Sequence, residues 1–479
     1  MISSIYKPNV LFGLFTGLFI LIIALAVFSE QYYLVAIPFV ILFLYGSWQN
    51  RNAVFFLLLF TLPFSFEYNF SSTLGTDIPD EFLMLLVSGL FLAYWLYFPK
   101  AISKNILKHP LIIFLFIGLC WTVITVLFST QPITSLKFLL AKGWYIGAFV
   151  LAPLIIFNNK KAVGVAVITL VMAIFLTTLI ALGRHAGNGF SFATINEAVF
   201  PFFRNHVNYS AMLVCIVPVF FALFYLSKTK KLKSLIVLAI IIVLAALFFA
   251  YARGAWLAFF AGLLSHWLIK KRLLFYSYIV AIIITISSLF WIKANENYLQ
   301  FAHDYKTTIF HENFREHMIA TYKLKDVSTA ERFYRWIAGV RMIKDNWLTG
   351  YGPATFYSNY KGYTVPAFKT WVSKNRDHST VHNYFLLIAI EQGIPGLIFF
   401  LLLSAAMLYY AQHLYRRVKD IFYRTVAATT GVMLTMIITV NFLSDLIETD
   451  KIGSLFFLCL ATLIVTDINT RNEMIADNS

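Results

Sequence analysis

A histidine able to act as a proton acceptor stands at position 382, in the run Arg376-Asp377-His378-Ser379-Thr380-Val381-His382-Asn383-Tyr384. Ser379 or Thr380 is suited to cap a helix there, which predicts His382 in the first turn, among unpaired backbone N–H groups at the positive end of the dipole. That environment favours the neutral imidazole, the form that accepts a proton near pH 7. Two other readings stand beside it. A histidine at a helix entrance also serves as a satisfied polar residue at an interface, and His378 and His382, four residues apart, share a helix face in the manner of a metal pair. The local pattern adds no acidic third ligand.

Anion recognition is the second chemistry the sequence offers. Arg204 lies at the mouth of an apolar run and Arg253 in a tight turn between two runs, Tyr251-Ala252-Arg253-Gly254-Ala255-Trp256. A guanidinium matches phosphate oxygens two at a time and keeps its charge when partly desolvated. The plainer alternative is that each arginine snorkels to an interface. Arg332 and Arg335 rank second, because Glu331 and Arg335 form an ordinary i,i+4 pair.

These residues need a scaffold, and the composition says which kind. Of 479 residues, 60% are hydrophobic and 13% charged, with a mean hydropathy of +0.76. Soluble domains carry about 25% charged residues, so the chain is an all-α polytopic membrane protein. Apolar runs before residue 183, others between 207 and 292, and three after residue 394 predict twelve to fourteen spans. One of them, 53 to 66, is short and ends near Pro63. The first run lacks a small-residue cleavage site and is expected to remain as a span.

A net charge of +16 does not signal nucleic acid, because the basic residues cluster in short connectors. The clusters are Lys100, Lys104 and Lys108; Lys160 and Lys161; Lys228 to Lys233; Lys270, Lys271 and Arg272; and Arg416 to Arg424. They alternate with connectors nearly free of lysine, the positive-inside pattern, which predicts cytoplasmic termini. Arg204, Arg253 and His382 all fall on the lysine-poor side. Cys120, Cys215 and Cys459 sit in apolar runs and imply no disulfide framework.

The chain divides into N-terminal spans (1–182), spans carrying the arginines (183–292), a long polar loop (293–381) and C-terminal spans (382–479). The loop holds 13 Lys+Arg and 8 Asp+Glu; long translocated segments do not obey the positive-inside rule. Within it, Phe333, Trp336, Ile337 and Val340 share one face of an amphipathic helix suited to the membrane surface. Gly350-Tyr351-Gly352-Pro353 reads as a turn. Gly393 followed by Pro395 should end one helix and start another. Lys142 is the one conspicuous mid-span charge, placed to face a cavity.

The residues Phe203-Arg204-Asn205-His206, Ala252-Arg253-Gly254, Gly350-Tyr351-Gly352, His382-Asn383-Tyr384 and Glu391-Gln392-Gly393-Ile394-Pro395-Gly396, in that order, resemble the O-antigen ligase and polymerase superfamily. The resemblance implies a GT-C-like membrane fold with a periplasmic loop. It also implies a glycosyltransferase of the bacterial inner membrane, independent of metal and cofactor. Its donor would be a glycan on undecaprenyl diphosphate. The acceptor would be a lipid A-core sugar in ligases, another lipid-linked repeat in polymerases, and a protein hydroxyl in protein O-oligosaccharyltransferases. His382 matches the essential histidine and Arg204 and Arg253 the arginines near the diphosphate, with Arg332, His378 and Asn383 in support. Direct attack would invert the anomeric centre. A transporter of lipid-linked glycans is the rival class; it predicts ionisable residues near mid-span and repeated broken helices.

Overall fold

A computed structural model describes residues 8–71, 74–293, 327–365 and 380–476. The chain falls into two compact units, Met1–Leu57 and Leu58–Ser479. The first contains α1 (Pro8–Phe28), a 21-residue helix without a charged side chain, and α2 (Ala36–Gln49). Phe19 and Phe39 join them edge to face at 5.8 Å. Helix α3 (Arg51–Thr61) begins in this unit and ends in the next.

The second unit opens with a turn through Pro63 and a hairpin, β1 (Phe66–Ser71) and β2 (Leu74–Ile78). Its register sets Glu67 opposite Asp77. The helices follow in order: α4 (Asp80–Tyr97), a single turn α5 (Lys104–Leu107), α6 (Pro110–Leu127), α7 (Pro132–Ile146), α8 (Ala152–Ile156), α9 (Lys160–Gly187), a short α10 (Ile195–Val199), α11 (His206–Leu226), α12 (Lys230–Phe249), α13 (Arg253–Lys271) and α14 (Leu274–Lys293). Beyond residue 326 come α15 (Val327–Asp345), a short α16 (Phe356–Asn359), α17 (Tyr384–Arg417), α18 (Ile421–Phe442) and α19 (Asp450–Ala476). Helices α7 and α8 are continuous through a wider turn at Gly147–Leu151. Among the described residues nine helices are long and apolar enough to cross a membrane, and four shorter apolar helices accompany them.

Short connectors force neighbouring helices to run antiparallel, and cross-links at both ends agree with that alternation. At the lysine-rich end, Lys160 pairs with Asp420 at 2.7 Å, and Asp467 binds Arg417 at 2.6 Å and Arg471 at 2.7 Å. At the other end, the Thr130 N–H donates to the Tyr351 carbonyl at 2.9 Å and the Tyr384 N–H to Ser444 at 2.9 Å. Helix α19 runs through the middle, with Leu455, Leu460, Ala461, Leu463 and Ile464 fully buried. Because lipid is as apolar as leucine, contact packing and internal polar links hold such a bundle together.

Candidate active site

The start of α17 is held by Asn383. Its side-chain oxygen accepts the Leu386 N–H at 2.9 Å, the N-cap interaction, while its amide donates to the Phe442 carbonyl at 3.0 Å. The cap is therefore Asn383, and His382 precedes it by one residue instead of lying in the first turn. His382 has φ 51°, a conformation that costs a non-glycine residue roughly 1–3 kcal/mol and persists only where neighbours impose it. The neighbours are on α15. Arg335 Nη1 donates to the Thr380 carbonyl at 3.1 Å and Trp336 Nε1 to the Val381 carbonyl at 3.0 Å.

The His382 ring stands with Nδ1 3.8 Å from an Asp445 carboxylate oxygen. Burial lowers its pKa to about 3, and the Arg335 and Arg332 cations push the same way. The side chain is 41% exposed, so solvent screens part of this effect. The direction favours the neutral imidazole, and its cause is burial beside two arginines, not the first-turn position expected from the sequence. Asp445 is raised by burial and by nearby Glu448, against a hydrogen bond with Thr380 that lowers it.

Thr380 and Asp445 line a cavity of about 570 Å³, with Lys142, Tyr145, Tyr357 and Glu448; His382 reaches it through Asp445, 3.8 Å from its ring. Lys142, the mid-span cation, pairs there with Glu448 at 2.9 Å. It also lies 5.0 Å from the Phe138 ring. Beneath the cavity is a polar cluster that sequence reasoning missed. Lys451 Nζ donates to Ser65 Oγ at 2.8 Å and to Asp450 at 3.2 Å, and the buried Asp80 carboxyl interacts electrostatically with Asp450.

The remaining motif residues build the cavity wall. The Glu391 carboxylate accepts the Ala354 N–H at 2.8 Å and the Phe356 N–H at 3.0 Å. Tyr351 N–H donates to Ile390 O at 3.0 Å, Gly352 N–H to Glu391 O at 2.9 Å, and Ile394 N–H to Trp347 O at 2.8 Å. Two glycines permit so close an approach. Gly350 has φ 67° and a Cβ there would meet Ile390 O at 2.5 Å; Gly393 has φ 72° and a Cβ there would collide with the Leu348 carbonyl. Gly393 is the break anticipated between two helices, and it interrupts α17. The two glycine motifs thus form one clasp that ties the loop after α15 to α17.

Arg332 and Arg335 are the cations brought to His382. The Glu331–Arg335 pair, expected as an ordinary i,i+4 pair, is buried, with the side chains 8% and 7% exposed and 3.0 Å apart. Helix α15 packs on α17, where a Cβ on Gly339 would meet Ile390 and Leu386, and its buried side chains include Tyr334, Arg335, Ala338 and Met342, whereas Val340 is 44% exposed. The aromatic stripe drew the sequence reading to the neighbouring face. The small residues Ala338 and Gly339 were the available signal, since they let a helix approach closely.

Arg253 is the first residue of α13, at the same end, where a Cβ on Gly254 would touch Leu443 at 3.8 Å. Arg204 is exposed in the segment before α11. Neither lines the cavity that Thr380 and Asp445 line. His378 and Ser379 lie outside the described residues, as do residues 294–326 of the long loop.

The fold defines the chain as an all-α polytopic membrane protein whose polar cavity lies at the lysine-poor end of the bundle. Residues 238–401 match the family profile described as O-antigen ligase, a stretch that holds Arg253, His382 and the glycine clasp. The match supports the superfamily that the sequence resembles, whose members are membrane glycosyltransferase-like ligases and polymerases. No curated protein matches the chain.

Proposed function

We propose that this protein is an O-antigen ligase-type glycosyltransferase, moving a glycan from undecaprenyl diphosphate to a lipid A-core sugar hydroxyl at the periplasmic face of the bacterial inner membrane. The observation that carries the reading is His382 held 3.8 Å from Asp445, a residue that lines the polar cavity, with Arg335 anchoring its segment at the Thr380 carbonyl. In this reading the acceptor hydroxyl gives its proton to the imidazole while its oxygen attacks the anomeric carbon. The bond from that carbon to the diphosphate oxygen breaks and the configuration inverts. Undecaprenyl diphosphate leaves with the electron pair, and Asp445 stabilises the imidazolium.

A diphosphate is a good leaving group, so the protein's remaining task is to stabilise its charge. Arg204 and Arg253, at the lysine-poor end, are assigned to that task; Arg335, already committed to Glu331 and Thr380, positions the His382 segment. A pKa held below its ordinary value makes a weaker base. Bound diphosphate would offset the arginine charges and raise it, so that proton transfer becomes favourable only with donor in place. The test is reconstitution in detergent with purified lipid-linked donor and lipid A-core acceptor. A glycosidic product requires an enzyme, because a transporter has nothing to move without a bilayer. Unlinked but fully polymerised glycan in a deletion strain supports the ligase assignment; single repeats on core would mean a polymerase, and loss of glycoprotein a protein glycosyltransferase.

A further inference from the structure

A second cavity, of about 580 Å³, lies between α11, α13 and α18. It sits at the far end of α18 from the Asp445 side, toward the lysine-rich connectors. Its walls are apolar, among them Phe221, Leu263 and Val432, and its lining contains three basic side chains, His266, Lys270 and Arg424, with no Asp or Glu. Phe221 is 45% and Leu263 52% exposed, so the slot opens sideways to where lipid would lie. All three basic residues are exposed. Arg424 is steadied by the Tyr415 ring, 4.6 Å from its guanidinium carbon, and the Lys270 carbonyl is held by Arg416.

Charge and length together identify the occupant. The basic side chains gather at the connector end, where α13 finishes and α18 starts, and the apolar wall runs from there toward mid-bundle. Along α13 it extends from Phe259 to Lys270, a rise of ~16 Å at ~1.5 Å per residue. Half of a ~30 Å hydrocarbon layer is ~15 Å. We propose that this slot binds one anionic glycerophospholipid of the leaflet on the lysine-rich side, its phosphate among Lys270, Arg424 and His266 and one acyl chain along the wall. The proposal is independent of the glycosyl-transfer reading. Anionic headgroups are drawn to basic clusters at this side of membrane proteins, and here a chain-length recess lies directly beneath one.

The test is native mass spectrometry of the full-length protein released from detergent, titrated with phosphatidylglycerol or phosphatidylcholine of the same acyl chains. Retained phosphatidylglycerol should exceed phosphatidylcholine at least fivefold at equal concentration. In Lys270→Gln/Arg424→Gln the ratio should fall to about one, with the melting temperature checked to confirm folding. Ala428→Trp, which fills the slot and leaves the charges, should lower retention of both lipids. Equal retention by the wild type, an unchanged preference in the double variant, or stronger retention of undecaprenyl phosphate than of phosphatidylglycerol would each overturn it.

Discussion

Replacing Arg335 by Met separates the two roles that its geometry assigns. The guanidinium satisfies the buried Glu331 carboxylate at 3.0 Å and holds the Thr380 carbonyl at 3.1 Å. Removing one partner of a buried pair leaves the other charge uncompensated, which costs about 3–5 kcal/mol. Replacing both by apolar residues of similar volume is often neutral or stabilising. Arg335→Met should therefore be strongly destabilised, and Glu331→Met/Arg335→Met should regain most of the lost stability. Activity should not return with it, because the Thr380 carbonyl still lacks its donor and the His382 segment its anchor. Losing the cation should also raise the His382 pKa, since Arg335 pushes it down. The assay pairs denaturant unfolding of purified protein with single-turnover transfer and an NMR titration of labelled histidine. A stable, active Arg335→Met, or a double variant that regains both stability and transfer, would refute the positioning role.

Three further outcomes follow from the same geometry. If Arg204 and Arg253 grip the diphosphate in pairs of hydrogen bonds, Arg→Lys at either loses a charge-assisted bond worth about 1.5–3 kcal/mol and should slow transfer about 10- to 100-fold; near wild-type rates in both would remove them from the site. Gly350→Ala, at φ 67° against the Ile390 carbonyl, should cost at least about 1–2 kcal/mol in unfolding, whereas Gly362→Ala, with no atom within 4 Å of its Cβ, should be nearly neutral. Asp77 is raised to about 7 by burial and by Asp450; a raised folded pKa stabilises most fully below the unfolded value near 3.8 and that contribution is lost as pH rises through 7. The melting temperature should accordingly fall between about pH 4 and 7 in the wild type and flatten in Asp77→Asn.

Much of the scaffold was legible in the sequence because membrane spans announce themselves by composition. The alternating lysine clusters gave the two ends of the bundle, and the helix ends with their cross-links agree with that division. The break at Gly393 was legible from local chemistry alone. Lys142 was marked as facing a cavity, since a mid-span cation needs a partner, but that partner, Glu448, lies 306 residues away and no local pattern links them. Asp445 was missed for the same reason: it reads as a connector acid until α18 brings it beside His382. The cap was misplaced by three or four residues because Ser379, Thr380 and Asn383 are all good caps, and the choice was made by the contact of Asn383 with Phe442 on another helix. Arg335 was undervalued because an i,i+4 pair looks the same on a surface as in a core; only the packing of α15 on α17 distinguishes them.

The central claim is that His382 serves as the base and not as a packing residue. Its side chain is partly exposed and its ring stands a long 3.8 Å from Asp445, so His382→Ala should leave the melting temperature close to that of the wild type. Loss of a general base lowers rates by about 10²- to 10⁴-fold, and transfer from purified lipid-linked donor to acceptor should fall by that amount at matched expression. A variant that keeps its transfer rate, or that loses stability and activity together, would contradict the account.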